Sequence, residues 1–325
     1  MRKYNWQKQP EGGWNMKHYA FGVDLGGTTV KIGFFDTEGS LKEKWEIPTR
    51  KEDSGEKILP DIAASLKGFL EEKGLGLSDL EGVGLDVPGA VLEGGIVNRC
   101  ANLGWGIKPV AEELSRLLDG LPVRAANDAN AAALGEVRYA GGKNIVMVTL
   151  GTGVGGGVIV NGKIASGAFG AGGEIGHIPV CPEETATCGC GKKGCLEQYA
   201  SATGILRLAK KKLRESDTPS ILRQEKNLTT RTVLDAAKAG DALASELLKE
   251  VCEILGRALA GVACVVDPEA FIIGGGVSKA GQILTETISR YYKKYAFHAS
   301  RDTEFRLATL GNDAGMYGAV HLILE

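Results

Sequence analysis

The chain is 325 residues long, carries a net charge of −2, and is 43% hydrophobic and 24% charged. That length accommodates two ordinary domains with separate cores, and so slight a charge gives no electrostatic pull toward nucleic acid or an anionic membrane. Glycine is the outlier, at 47 residues; this is about twice the usual share, without a collagen period, and implies sharp turns or close backbone approach to a ligand.

Residues 1–17 include Trp6, Trp14 and Gly12-Gly13 but no continuous apolar stretch of a secretory signal, and read as a disordered extension. No apolar run reaches the roughly 18 residues of a membrane span. The protein therefore reads as cytoplasmic, and its seven cysteines as thiols or metal ligands rather than disulfides.

Tyr19–Leu25 is an apolar strand closed by Gly26-Gly27; Val30–Phe35 and Leu41–Ile47 continue as further strands. Ile58, Ile62, Leu66, Phe69 and Leu70 recur at helical spacing. Gly82–Val87 is a strand ending at Pro88-Gly89, Val110–Leu118 a short helix, and Pro122–Ala126 a strand running into Asn127-Asp128 and an alanine-rich helix, Ala129–Tyr139. The second half repeats this opening: Ile145–Leu150, a glycine turn, Gly156–Val160 and a turn at Asn161-Gly162. Aligning Asp24-Leu25-Gly26-Gly27-Thr28 with Thr149-Leu150-Gly151-Thr152-Gly153 gives the same order of strand, turn, strand and hairpin, the mark of a duplicated unit. Helices then dominate from Ser201 to Val265, with basic Arg207–Arg214 as a solvated face, before a strand at Phe271–Ile273, the turn Gly274-Gly275-Gly276 and helices at Gln282–Tyr295 and Gly315–Leu324.

The glycine turns point to a nucleotide site. Backbone N–H groups freed by such turns converge on anions. Gly151 to Gly156 has the spacing G-x-G-x-x-G, but the dinucleotide fingerprint needs a helix after its loop, and a strand follows here.

The most specific local signal is Cys188-Gly189-Cys190-Gly191-Lys192-Lys193-Gly194-Cys195. Three thiols in one short glycine-rich loop suit a tetrahedral zinc ion, with His177 as the fourth ligand and Cys181 as its competitor. Cys100, Cys252 and Cys264 sit in apolar settings and are expected in the core. Four protein ligands make such a zinc structural, and its grip would fix Glu174 and Glu197 as acceptors for sugar hydroxyls. Asp128 is open to two readings. At a helix start it is a favoured cap, and it is also an ionised, weak base of the kind phosphoryl transfer tolerates. Asn312-Asp313-Ala314 repeats the same three residues near the C-terminus.

Taken in order, Asp24-Leu25-Gly26-Gly27-Thr28, Asn127-Asp128-Ala129-Asn130, Leu150–Gly155, Glu174-Ile175-Gly176-His177 and Cys188–Glu197 resemble the ROK family of repressors, open reading frames and sugar kinases. From about Lys17 onward the chain looks most like its bacterial glucokinases. The resemblance implies an α/β, two-lobed actin-like ATPase fold (a duplicated ribonuclease H-like unit) with a central ligand cleft. A small lobe of residues 18–126 plus 311–325 would face a large lobe of 127–310. It implies ATP-dependent phosphorylation of glucose at the 6-hydroxyl, in a homo-oligomer, with Asp128 as general base. Gly89, Asn127, Glu174, His177 and Glu197 match sugar-binding positions, His177 serving both zinc and sugar. Gly26, Gly27, Thr28, Gly151, Thr152 and Gly153 match phosphate loops, Gly274 to Gly276 the adenosine side, and Asp24 a partner of Mg²⁺ through water. Ala90 stands where some N-acetylmannosamine kinases of the family carry Arg, which weakens the amino-sugar alternative. A sugar-responsive repressor would need a helix-turn-helix module, and the seventeen leading residues show no such pattern.

Overall fold

The computed structural model describes residues 17–324; apart from Lys17, the expected extension lies outside the described residues. The apolar run Tyr19–Leu25 forms strand β1, followed by β2 (Thr29–Asp36) and β3 (Leu41–Pro48) in antiparallel hairpins. A single turn, α1 (Glu52–Gly55), and helix α2 (Ile58–Lys73) lead to β4 (Leu80–Val87). A two-residue hairpin, β5 (Val91–Leu92) and β6 (Ile96–Val97), precedes helix α3 (Val110–Leu117) and strand β7 (Val123–Asn127). The sheet order is β3-β2-β1-β4-β7, with β1, β4 and β7 parallel.

After helix α4 (Asp128–Ala140) the plan recurs in β8 (Ile145–Leu150), β9 (Val154–Val160) and β10 (Lys163–Ile164). Four helices follow, α5 (Glu197–Ala200), α6 (Ala202–Glu215), α7 (Thr230–Lys238) and α8 (Ala242–Val266). Strand β11 (Ala270–Gly274), helix α9 (Gln282–Tyr295), strand β12 (Glu304–Leu307) and helix α10 (Ala314–Leu324) complete the chain. The second sheet runs β10-β9-β8-β11-β12, the same order and the same mixture of antiparallel and parallel pairs as the first. The duplication expected from the two glycine turns is thus a property of both sheets. Edge strand β12 escaped the sequence reading because its four residues alternate exposed and half-buried, without an apolar run.

Each sheet has its own core. Phe21, Phe34, Ile62 and Leu66 pack between the first sheet and α2, while Phe271, Leu255 and Tyr292 pack between the second sheet and helices α8 and α9. Helices α4 and α10 cross where a Cβ on Gly318 would stand 1.6 Å from the Ala131 carbonyl oxygen. Only glycine permits that approach, and it locks the two helices together.

Two expectations about surface residues are corrected. Cys264 lies on the exposed side of α8 rather than in the core. Arg207 is not part of a solvated stripe: it donates to Glu184 Oε2 at 2.9 Å and lies over the Tyr199 ring, because α6 packs against the cysteine loop.

Candidate active site

Parallel strands deliver their carboxyl ends to one edge, where open α/β sheets place ligands. Across β1, β4 and β7 the register sets Asp24 opposite Asp86 and Val87 opposite Asn127; in the second sheet Gly274 stands opposite Thr149. Between these edges lies a cleft of about 970 Å³. Asp24, Gly89, Asn127 and Asp128 line it from one side, Gly151, Gly153 and Gly274–Gly276 from the other, and Glu174, His177 and Glu197 close one end. Gly26, Gly27, Thr28 and Thr152 are outside its lining. The Gly26–Thr28 turn is held by Thr49, whose hydroxyl donates to the Gly26 carbonyl at 2.7 Å and whose N–H donates to that of Thr28 at 2.9 Å.

The capping of α4 falls mainly to the neighbour of Asp128. Asn127 is the helix cap: its Oδ1 accepts from the N–H groups of Ala129 and Asn130 at 3.0 and 3.2 Å. Its amide nitrogen donates to the Gly89 carbonyl at 3.0 Å and to Asp128 Oδ1 at 2.9 Å. Asp128 becomes the first helical residue and presents its carboxylate to the cleft. Asp128 keeps solvent-exposed surface, but the protein packed around its carboxylate desolvates it and raises its pKa above the usual value; the Ala129 N–H opposes the rise, and Asp24 and Glu174 reinforce it. The sequence suggested a weakly basic carboxylate; the surroundings shift it toward greater basicity.

Asp86 escaped the sequence reading because it sits inside an apolar strand. It is fully buried, and among the described residues neither carboxyl oxygen has a hydrogen-bond partner. Burial, with the charges of Asp24 and Asp128, raises its pKa well above the ordinary carboxylate range. Once protonated, it can donate to Asp24. Asp24 itself accepts from Lys31 Nζ at 3.1 Å.

At the closed end, the ligating atoms of His177, Cys188, Cys190 and Cys195 all lie within 4.8 Å of one another. Cys190 and Cys195 sulfurs are 3.6 Å apart, and Cys188 Sγ is 3.8 Å from His177 Nδ1. A tetrahedron built on bonds of about 2.3 Å has edges of about 3.8 Å, so these residues fit zinc. Cys181 is outside the cluster. The other histidine nitrogen, Nε2, faces Glu174 Oε2 at 3.8 Å. Glu197 touches the cluster through Oε1, which accepts from Cys188 Sγ at 3.0 Å, while its Oε2 would lie 2.6 Å from a Cβ on Gly153. The histidine–cysteine cluster, this carboxylate and the second glycine turn are therefore packed as one unit. Behind them, Glu184 accepts from the Ala186 N–H, Tyr199 Oη and Arg207, which hold its pKa down at about 2.

Asn102 and Lys279 also line the cleft and were missed; Asn102 lies on an irregular stretch whose sequence shows no periodic pattern. A second cavity of about 710 Å³ shares Gly276 and Lys279 with the cleft and continues between Leu234, Val277 and Ala280.

Comparison with known proteins agrees with this architecture. The ROK family pattern matches residues 20–325. The chain is 45% identical over 94% of its length to a glucokinase of Halalkalibacterium halodurans, covering 94% of that protein. It is 36% identical to a glucokinase of Streptomyces coelicolor, covering 94% of this chain and 97% of the other. Among solved structures, a ROK family glucokinase from Streptomyces griseus in complex with glucose and AMPPNP superposes with a TM-score of 0.73 at 34% identity, over 94% of this chain and 98% of that one. The duplicated sheets and that superposition make the fold a two-lobed, actin-like ATPase fold. The chain belongs to the ROK family.

Proposed function

We propose that this protein transfers the γ-phosphoryl group of ATP to the 6-hydroxyl of glucose. The observation that carries this reading is Asp128: oriented by Asn127 and the Ala129 N–H, raised in basicity by its surroundings, and facing a cleft lined by glycine turns and carboxylates. The similarity to the glucokinases of Halalkalibacterium and Streptomyces supports glucose over other hexoses.

In this reading Glu174, Glu197 and Asn127 accept or donate hydrogen bonds to sugar hydroxyls, with Gly89 contributing its backbone. His177 presents Nε2 to the sugar and Nδ1 to the cysteines. The 6-hydroxyl gives its proton to the Asp128 carboxylate as its oxygen bonds to the γ-phosphorus and the bond to ADP breaks. Because that transition state is loose, orientation of the hydroxyl matters more than base strength. The turns at Gly26–Thr28 and Gly151–Gly153 bear on the phosphates, and the Gly274–Gly276 turn with its adjoining cavity receives the adenosine. A single carboxylate beside nucleotide phosphates suits Mg²⁺, and Asp24, at the end of β1, would hold it through water. Mg²⁺ supplies charge neutralisation on the β- and γ-phosphates. His177, Cys188, Cys190 and Cys195 would hold a zinc ion that braces Glu197 and His177. The two separate cores, with Met316 and Val320 packed on Ala20 and Phe35, support a small lobe of 18–126 plus 311–325 and a large lobe of 127–310.

A coupled ADP-release assay over a panel of hexoses, with ATP and Mg²⁺, tests the proposal. Glucose should give the highest kcat/KM. No turnover with any hexose would refute the kinase reading, and faster turnover of N-acetylmannosamine would replace the substrate.

A further inference from the structure

Among the described residues Glu136 is, with Asp86, a fully buried carboxylate, and it lies outside the cleft lining. It stands eight residues after Asp128 on α4, about 12 Å along the helix axis, with no exposed surface. Its oxygens are occupied by one short stretch of loop between β12 and α10. The Thr309 N–H lies 2.9 and 3.0 Å from its two oxygens, the Leu310 N–H donates at 2.8 Å, and Thr309 Oγ1 donates at 2.8 Å. Consecutive backbone N–H groups aimed at one carboxylate form an anion nest, here with the anion supplied by the chain itself. Charge-assisted bonds of this kind are stronger and more directional than neutral ones.

The loop so held is a wall of the cleft. Leu307 and Ala308 precede the anchor and Gly311 and Asn312 follow it, and all four line the cleft. Ala308 stands against the Gly274 turn, where a Cβ on Gly274 would meet it at 3.3 Å. At its far end the loop is tied again: Lys31 Nζ donates to the Asn312 carbonyl at 2.7 Å and also to Asp24. The path from Asp128 along α4 to Glu136, through the loop to Lys31 and on to Asp24 thus links two carboxylates that line the cleft.

We infer that Glu136 is a positioning residue for the nucleotide, fixing the 308–312 wall at a set distance from Asp128 on the same helix. The inference rests on the reading of this cleft as a sugar-kinase site. A buried charge is costly and an apolar side chain would fill the space more cheaply; what the carboxylate adds is a defined loop position. The sugar contacts lie off the 308–312 loop, those of Asn127 and Asp128 being about two turns away at the other end of α4, so loss of the anchor should fall on ATP and spare glucose.

The test is Glu136→Gln, which turns an amide group toward N–H donors. We expect KM for ATP and the dissociation constant for AMPPNP, measured by calorimetry, to rise about tenfold or more, while KM for glucose changes less than about twofold. Equal changes for both substrates, or none for ATP and AMPPNP, would overturn the inference. Thr309→Val removes one hydrogen bond and keeps the backbone donors; it should raise KM for ATP and weaken AMPPNP binding about two- to threefold, and unchanged values would count against us even if Glu136→Gln does not fold. Wild-type protein that binds AMPPNP but phosphorylates no hexose would sink the kinase reading instead, and the AMPPNP affinities of the variants would still decide the role of Glu136.

Discussion

Asn127-Asp128-Ala129 and Asn312-Asp313-Ala314 are the same three residues placed beside the same cleft, and they end in different chemistry. In the first, Asn127 caps α4 and leaves Asp128 facing the ligand space. In the second, the Asn312 carbonyl accepts from Lys31, and Asp313 turns away to pair with Lys44 of β3 at 2.6 Å, outside the cleft lining. Asp128 makes no ion pair among the described residues, and its surroundings raise its pKa; Asp313, the less exposed of the two, is neutralised by its pairing with Lys44. A tripeptide specifies a turn into a helix. The strand preceding it and the charge facing it decide whether its carboxylate is a base.

The largest expected effect breaks the first member of that pair. Asp128→Asn should lower kcat by at least about a hundredfold, the usual weight of a general base, with fold and metal content intact. The acid limb of the wild-type pH profile should follow the Asp128 carboxyl. Because burial raises its pKa, activity should fall away at a higher pH than an ordinary aspartate would give.

Next comes the brace at the closed end. Cys190→Ser should weaken zinc binding by at least about 10–100-fold, as even disturbed outer partners do, and raise KM for glucose together with it. Full zinc by elemental analysis in that variant would refute the ligand set.

The smallest effect concerns the carboxyl that neither tripeptide contains. Burial, with the charges of Asp24 and Asp128, raises the folded pKa of Asp86. By linkage, the stability it supports is fully present below its unfolded value and is lost as pH rises, because the unfolded chain then releases a proton that the folded chain must keep. Asp86→Asn mimics the protonated acid. At neutral pH it should raise the unfolding temperature by about 2–4 °C, the shift expected for about 1 kcal/mol, and the gain should vanish below about pH 4. A gain that persists in acid would show that Asp86 is not the proton carrier.

Much of this was legible in the sequence. Apolar runs closed by glycine turns located the main strands, and their repetition located the duplicated sheets. The cysteine spacing located the cluster of His177, Cys188, Cys190 and Cys195, since the short glycine-rich loop brings the thiols together. What remained hidden depended on partners distant in sequence. Asp86 reads as an interruption in a strand until β1 is seen to bring Asp24 beside it. Glu136 reads as an ordinary helix residue until the loop 173 residues later is seen to fold onto it. Cys264 has an apolar local sequence, yet α8 turns it to the surface.

The claim that Asp128 alone takes the proton is tested most directly by measuring kcat for Asp128→Asn and Asp313→Asn side by side, with glucose, ATP and Mg²⁺. We predict a loss of at least about a hundredfold for the first and, for an exposed ion pair worth at most about 1 kcal/mol, a change within about twofold for the second. Near-normal turnover by Asp128→Asn, or equal losses in both, would contradict the account.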